Sequence, residues 1–295
     1  MSMRPAVATA TGVLLGMSAL TLTVTPAQAA SQQARTDSPP VTVAHRGASG
    51  YAPENTLRSV DKADKLGFDW VENDVQRTKD GELVIVHDTT LARTTNAEQL
   101  YPDRSPWNVS DFTAKEIARL DAGGWFSDDY TGEKVPTLKQ YLKNLDKNGQ
   151  RLLMELKSPE LYPGIELQTL TELGKAGWLD KGHVKSKLVI QSFNADAIKT
   201  THALAPAVKT GFLGNPKVAD LKAYAKFTDQ INPTYSAATK SYVGAVHALK
   251  GPHAKPMEVF TWTVNDGSTA RTVDAAGVNG IISNYPDVVR DATQS

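Results

Sequence analysis

The sequence contains no cysteine among its 295 residues. That absence excludes disulfides, thiolate metal sites, iron–sulfur clusters and a cysteine nucleophile, so any chemistry falls to histidines, carboxylates, hydroxyls and basic side chains. An excess of charge of one sign is also lacking, since Lys plus Arg and Asp plus Glu each total 32. Because no net field attracts the chain to a polyanion, the composition argues against a nucleic-acid partner.

The composition is otherwise that of a globular protein, with 40% apolar and 22% charged residues. The length of the chain allows two ordinary domains or one large α/β barrel. Composition alone does not choose between them.

Residues 1–30 have the pattern of a secretory signal peptide. An early arginine is followed by an uncharged stretch over residues 5–25 and then by the small-residue site Ala27-Gln28-Ala29. The stretch is nearly long enough to span a bilayer, so an uncleaved anchor is the alternative. Thr and Ser dilute its hydrophobicity and no basic cluster follows it. We therefore expect cleavage directly after the small-residue site, secretion, and no stable membrane insertion afterwards.

Residues 31–40 are polar and end in two prolines, which is typical of a flexible leader. From residue 41 onward, short apolar runs alternate with longer amphipathic segments, which predicts alternating strands and helices. About eight alternations over roughly 250 residues favour an α/β fold of the TIM (β/α)₈ barrel type over a doubly wound sheet, and no Gly-x-Gly-x-x-Gly turn follows the first strand. We expect one barrel domain over residues 41–295. The expected strands are Val41–His45, Trp70–Val75, Leu83–Val86, Leu152–Leu156, Leu188–Ser192, Thr210–Leu213, Gln230–Asn232, Val259–Val264 and Gly280–Ser283.

One interval, residues 88–136, breaks the alternation and is rich in turn residues. Chemistry in a barrel lies where strands end and loops begin. We therefore interpret this interval as a small insertion subdomain on the active face.

Three carboxylates occupy expected strands that are otherwise apolar. Glu72 and Asp74 lie two residues apart, which turns both side chains to one face of a strand, and Glu155 lies near the end of another strand. A single carboxylate of this kind is usually solvated, but carboxylates inside apolar runs need cations or metals to offset lost solvation. An all-oxygen cluster suits Ca²⁺ or Mg²⁺ better than Zn²⁺. The sequence thus predicts one divalent metal, with Ca²⁺ favoured because three carboxylates form a flexible site.

Basic side chains fall at the same strand ends. His45 and Arg46 end the first expected strand, His87 follows the third, and Lys157 lies two residues beyond the last of the three carboxylates. Each alone is more often an ordinary surface group. Together, a cation beside an arginine and a lysine makes a site for a phosphoryl group, and two histidines can divide proton transfer. That combination predicts phosphodiester hydrolysis.

Several short segments carry a resemblance to a known family. In chain order they are His45-Arg46-Gly47, Pro53-Glu54-Asn55-Thr56, Glu72-Asn73-Asp74, His87-Asp88-Thr89-Thr90-Leu91, Glu155-Leu156-Lys157 and Trp262-Thr263-Val264-Asn265. With these segments the chain resembles the glycerophosphodiester phosphodiesterase family, of secreted bacterial type, from about residue 41 to residue 287.

The resemblance implies a TIM barrel with a small insertion between its second and third βα units. It also implies glycerophosphodiester substrates, such as glycerophosphocholine, cleaved to glycerol 3-phosphate and an alcohol. The implied roles are metal ligation by Glu72, Asp74 and Glu155, acid/base catalysis by His45 and His87, phosphate binding by Arg46 and Lys157, and substrate contact by Trp262.

Two departures from the family pattern lie near the C-terminus, where Asn279 and Asn284 replace the usual aspartates. Neither is an implied ligand, so we expect activity to be kept and any effect to be on loop structure and specificity near Tyr285. Two alternatives stay open. One is a phospholipase D-type enzyme acting on lysolipids or sphingolipids, and the other is a secreted barrel-fold binding protein without activity.

Overall fold

The computed structural model describes residues 1–3 and 38–294. The expected signal peptide beyond its third residue, and the expected leader up to residue 37, lie outside the described residues. Within the described part of the chain, no helix combines the length and the apolar character that a bilayer crossing requires.

From residue 41 the chain alternates strands and helices. The strands are β1 (Val41–Ala44), β2 (Trp70–Arg77), β3 (Leu83–Ile85), β4 (Arg151–Leu156), β5 (Leu188–Ser192), β6 (Lys209–Leu213), β7 (Gln230–Asn232), β8 (Glu258–Thr261) and β9 (Gly280–Ser283). All except β3 pair in parallel with both neighbours, and β1 pairs with both β2 and β9, which closes the barrel. The predicted TIM (β/α)₈ barrel is therefore confirmed.

The helices form the outer layer of the barrel and part of the insertion. The described α-helices are α1 (Leu57–Lys65), α2 (Ala97–Leu100), α3 (Ala114–Ile117), α4 (Leu138–Asn148), α5 (Ile165–Lys175), α6 (Lys181–Ser186), α7 (Ala195–Leu204), α8 (Leu221–Tyr224), α9 (Lys240–His247), α10 (Gly267–Ala276) and α11 (Pro286–Thr293). Short 3₁₀ turns cover Pro102–Arg104, Val109–Asp111, Asp128–Tyr130, Pro159–Leu161 and Val218–Asp220.

Helix α4 shows how local sequence sets these boundaries. Its first turn is closed by a capping box, in which the Thr137 hydroxyl accepts from the Gln140 backbone N–H and the Gln140 side chain accepts from the backbone N–H of Thr137. It ends at Gly149, whose φ of 72° is left-handed. The buried face of the helix packs on the barrel, and the chain then enters β4 directly. The end of this helix therefore sets where β4 begins and, four residues further along the strand, where Glu155 lies.

Alternation along β2 separates two environments. Val71 and Val75 face the helix layer and belong to the large apolar cluster there. Glu72 and Asp74 have the opposite orientation and are buried toward the barrel interior. Asn73 shares the outward face of the two valines. A strand with this alternation delivers two carboxylates to the interior.

The insertion differs from the expected arrangement in one respect. Strand β3 runs antiparallel to β2 and forms a hairpin with it, so it is not one of the barrel strands. The segment up to residue 136 follows this hairpin and precedes α4, which places the insertion inside the second βα unit rather than between the second and third. Its own apolar core includes Leu91, Phe112 and Leu120. A hairpin looks like any other strand in a local apolar pattern, because partner direction is a property of the tertiary structure.

Candidate active site

The three carboxylates predicted on β2 and β4 meet at the carboxyl end of the barrel. Glu72, Asp74 and Glu155 each offer a ligand oxygen, and these oxygens lie within 4.8 Å of one another. Asp74 and Glu155 are direct neighbours across the β2–β4 pairing. All three side chains are at most 6% exposed. Three buried carboxylates at these distances repel one another unless a positive charge lies among them.

The pKa values of these groups also reflect the cost of burying three carboxylates close together. Burial and then the charge of Asp74 raise the pKa of Glu155 to about 8, and they raise that of Glu72 well above its ordinary range. Burial also acts to raise the pKa of Asp74, but Arg46 and other nearby cations outweigh it, so that pKa lies below its usual value. Burial and mutual repulsion therefore favour the protonated forms of two of the three carboxylates, and a further cation would oppose this.

The residues present fit a divalent metal. One oxygen of Asp74, Oδ1, is buried without a hydrogen-bond partner, and Lys157 Nζ lies 3.9 Å from it. The other oxygen is held in place by the Asn55 amide at 2.8 Å. Oxygen donors of this kind are the ligands that hard cations such as Ca²⁺ and Mg²⁺ prefer. The acidic triad could thus bind a divalent cation.

The loop after β1 carries His45 and Arg46 to this cluster. Arg46 and Gly47 both have left-handed backbone conformations, with φ values of 54° and 79°. A Cβ on Gly47 would lie 2.3 Å from the Ser59 hydroxyl, so only glycine fits there. The turn directs the Arg46 backbone N–H to Glu72 at 3.0 Å and its guanidinium Nε to 3.3 Å from Asp74.

His45 has a neutral partner on its far side. Its Nδ1 lies 2.6 Å from the Asn284 side-chain oxygen, which carries no hydrogen, so Nδ1 is the donor. Its Nε2 is 3.9 Å from Glu72. Burial and then the charge of Arg46 lower the pKa of His45 to about 4. The imidazole is therefore neutral at neutral pH, with Nε2 free to accept a proton.

His87, by contrast, has a charged partner. Its Nδ1 is 2.6 Å from Oδ1 of the adjacent Asp88. Asp88 is itself held by the Arg93 guanidinium, whose hydrogen bonds are the main cause of its depressed pKa. Burial lowers the pKa of His87 below its ordinary value, although Asp74 and the bond to Asp88 act in the opposite direction. The two site histidines thus differ in the charge of their supporting residue.

The third wall of the site is aromatic. Trp262 follows β8 and donates from its indole nitrogen to the Asn232 carbonyl at 2.8 Å. The rings of Trp262 and Phe193 meet edge to face, with centroids 5.4 Å apart, and Lys157 Nζ lies 5.4 Å from the centroid of Phe193. Lys157 also forms an ion pair with Glu155 at 3.0 Å. One cavity at this end of the barrel is lined by all the predicted site residues except Asp74, which lies beneath it in the carboxylate cluster.

Comparison with known proteins agrees with this geometry. Residues 45–288 match the model of the glycerophosphoryl diester phosphodiesterase family. The chain belongs to this family. A glycerophosphodiester phosphodiesterase of Bacillus subtilis is 35% identical over 294 residues, covering 93% of this chain and 94% of the relative. One from Caldanaerobacter subterraneus is 32% identical over 255 residues, covering 84% of this chain and 95% of the relative.

Solved structures extend the comparison. A phosphodiesterase of Oleispira antarctica, determined in complex with its product sn-glycerol 3-phosphate, is 29% identical with a TM-score of 0.71, covering 87% of this chain and 98% of that one. A glycerophosphodiester phosphodiesterase of Agrobacterium tumefaciens is 26% identical with a TM-score of 0.66, covering 85% and 99%. The protein is therefore an enzyme, a phosphodiesterase, and not a binding protein that has merely kept the barrel.

The structure adds residues of this phosphodiesterase that sequence reasoning missed. They are Glu54, Asp88, Arg93, Phe193 and Asn284. Glu54 and Asp88 stand inside the quoted family segments, so the sequence placed them near the site without indicating their partners. Asn284 was noted only as a departure from the family, with its effect expected on loop structure and specificity. In the structure its side chain contacts that of His45.

Proposed function

We propose that this phosphodiesterase hydrolyses glycerophosphodiesters such as glycerophosphocholine to glycerol 3-phosphate and an alcohol. The observation that carries the proposal is a single cavity above the buried carboxylate triad. This cavity is bordered by an arginine, a lysine and two histidines, of which one is hydrogen-bonded to an amide and the other to a carboxylate. The Oleispira neighbour, in complex with glycerol 3-phosphate, supports this substrate class.

In the proposed reaction an oxygen nucleophile attacks phosphorus and the bond from phosphorus to the alcohol oxygen breaks. His45 is the base, because it is neutral and its Nε2 is free to take the proton of the attacking oxygen. His87 is the acid, because the carboxylate of Asp88 stabilises the imidazolium that donates a proton to the departing alcohol.

The remaining residues bind the diester. Arg46 and Lys157 present positive charge to the phosphoryl oxygens, where negative charge grows in the transition state. The rings of Trp262 and Phe193 contact the carbon skeleton of the glycerol or of the leaving group. Their edge-to-face packing makes that wall rigid.

Glu72, Asp74 and Glu155 are the ligands for one divalent cation, for which we favour Ca²⁺ over Mg²⁺. Ca²⁺ accepts several carboxylates in a flexible arrangement, whereas Mg²⁺ keeps more of its water. A bound cation would supply charge stabilisation for the phosphoryl oxygens. It would also offset the burial and the repulsion among the carboxylates that raise the pKa of two of them.

The test is the turnover of glycerophosphocholine by the purified protein and by three single variants. His45→Gln and His87→Gln should each lose about 10²- to 10⁴-fold in kcat. His202→Gln, on the outer helix α7, is the matched control and should keep full activity. Undiminished turnover in either site variant would overturn the proposed roles. A marked preference for lysophosphatidylcholine over glycerophosphocholine would instead favour the phospholipase D-type alternative.

We also propose that the enzyme is exported, with cleavage after Ala29 or Ala30. The support is the sequence pattern of residues 1–30. N-terminal sequencing of protein recovered from the medium of a producing cell checks this. An intact N-terminus on protein confined to the cell contradicts it.

A further inference from the structure

An alternating series of charged side chains connects the two sides of the active site. In order it consists of Arg46, Glu54, Arg93, Asp88 and His87. The central member, Arg93, comes from the insertion and does not line the cavity. It nevertheless contacts the supporting carboxylate on each side.

Arg93 binds both carboxylates with forked hydrogen bonds. Its Nη1 and Nη2 donate to the two oxygens of Glu54 at 2.8 Å and 2.9 Å. Its Nε and Nη2 donate to the two oxygens of Asp88 at 2.6 Å and 3.0 Å. Planar bidentate pairs of this kind fix orientation as well as charge, which a lysine ammonium cannot do.

The decisive feature is which oxygens Nη2 of Arg93 touches. Oε1 of Glu54 also accepts from Nη1 of Arg46 at 2.9 Å. Oδ1 of Asp88 also accepts from Nδ1 of His87 at 2.6 Å. A single nitrogen of Arg93 thus contacts the oxygen that holds Arg46 and the oxygen that holds His87.

We propose that Arg93 is a positioning residue that orients Arg46 for phosphate and His87 for proton transfer at the same time. The proposal rests on the roles given above to those two residues. Without Arg93, the mostly buried Glu54 keeps Arg46 as its single cation and draws the guanidinium away from the substrate. Asp88, released from its fork, rotates and carries the imidazole of His87 with it.

A merely structural role for Arg93 does not fit its surroundings. The side chain is 45% exposed and lies outside the apolar core of the insertion. Exposed ion pairs contribute little to stability. Its removal should therefore leave the insertion folded while it changes the kinetics.

The experiment measures kcat and KM for glycerophosphocholine in Arg93→Gln, alone and combined with Glu54→Gln or Asp88→Asn. The single variant should lower kcat about tenfold and raise KM about tenfold, since each function loses orientation but not its reacting group. In the Glu54→Gln background the KM effect of Arg93→Gln should vanish and the kcat effect persist. In the Asp88→Asn background the reverse is expected.

The matched control is Arg58→Gln, because Arg58 also forms an ion pair with the insertion, at 3.4 Å from Glu133, and is 64% exposed. It should change neither constant. Equal kinetics for Arg93→Gln and Arg58→Gln would overturn the proposal. So would an Arg93→Gln effect of the same size in both carboxylate backgrounds, because that result is expected of general destabilisation.

A readout without turnover separates this proposal from the proposed function. The ¹⁵N signals of the His87 imidazole, assigned by their loss in His87→Gln, should shift in Arg93→Gln and stay in place in Arg58→Gln. Unshifted signals in Arg93→Gln overturn the positioning role even if the wild-type enzyme is active. Shifted signals in a protein that does not cleave glycerophosphocholine would support the positioning role of Arg93 and contradict the proposed substrate.

Discussion

Asn284 holds the Nδ1 of His45 at 2.6 Å with an amide oxygen, at a position where the family usually has a carboxylate. The two residues are 239 positions apart in the chain. Because an amide carries no charge, its hydrogen bond orients the imidazole and favours the protonated form less than a carboxylate would. Burial and then the charge of Arg46 outweigh this bond and keep His45 neutral, beside a histidine, His87, whose partner is charged.

Restoring the family residue should change the pH profile. In Asn284→Asp, a carboxylate at hydrogen-bond distance favours the imidazolium and should raise the pKa of His45 by about 1–2 units. Its value is now about 4, set by burial and by Arg46. A base works in its unprotonated form, so the acidic limb of kcat/KM should move to higher pH. The variant should then lose activity below about pH 6 relative to pH 8.

The control for this prediction is Asn279→Asp, the other departure from the family. Asn279 accepts from the Val259 backbone N–H at 2.7 Å and contacts His247, away from the site residues. Its pH profile should match that of the wild type. A profile that moves equally in both variants would show that net charge, and not the contact with His45, is responsible.

Calcium should stabilise the fold through the carboxylate triad. A ligand at 100 times its Kd adds about 2.7 kcal/mol, which for a chain of this size corresponds to a rise in Tm of about 5 °C. Thermal unfolding in EDTA and in excess Ca²⁺ measures the shift. Glu155→Gln should lose most of it. Glu258→Gln, which removes a carboxylate that pairs with Lys209 at the start of β8, should keep it. An equal shift in both variants would place the metal elsewhere.

Asn73 lowers the stability of the fold at strand β2. Its side chain is fully buried beside Met154, and neither polar atom has a hydrogen-bond partner. An unpaired buried amide costs about 1–3 kcal/mol. Asn73→Val should therefore raise the free energy of unfolding by about that amount, measured by urea denaturation, with catalytic activity retained. Asn73→Asp, which buries a charge at the same place, should lower it. A destabilised valine variant would refute this account.

Phe193 should contribute to substrate binding more than to chemistry. Its ring lies 5.4 Å from Lys157 Nζ and packs on Trp262, yet it is 48% exposed at the cavity mouth. This partly exposed cation–π contact, worth about 0.5–1 kcal/mol, orients the Lys157 ammonium that we propose binds phosphate, so Phe193→Ala should raise KM about two- to fivefold with a smaller change in kcat. Leu204→Ala, equally exposed on helix α7, is the control. A fall in kcat with unchanged KM would contradict a binding role.

Much of the fold was accessible from sequence because its determinants are local. Every expected strand is present within a few residues, since short apolar runs bounded by turn residues leave few alternatives. Two elements show what a local sequence pattern does not reveal. Helix α6 (Lys181–Ser186) has no buried residues and hence no apolar period to detect. Strand β3 had the expected apolar pattern, but its antiparallel pairing with β2 could not be predicted, because pairing direction is not encoded in a single strand.

For the site, the sequence by itself determined which chemical groups are available. The absence of cysteine left histidines and carboxylates, and the spacing of Glu72 and Asp74 on β2 aimed both into the barrel. Barrel topology then predicts that side chains at the carboxyl ends of strands converge. These results follow from the strand and helix periodicities of the sequence and from the parallel connections of the barrel. They require no knowledge of contacts between distant residues.

Only the tertiary structure decided how those groups are supported. The amide of Asn284 against His45, and the forks of Arg93 on two carboxylates, join residues from separate loops. No periodicity or spacing specifies such pairs, because they depend on where loops of irregular backbone place long side chains. Hydrogen-bond geometry, in turn, determines the tautomer and orientation of each histidine, while burial and neighbouring charges set its pKa. The reacting groups can be identified from the sequence, whereas the contacts that distinguish the proposed role of each group are found only in the tertiary structure.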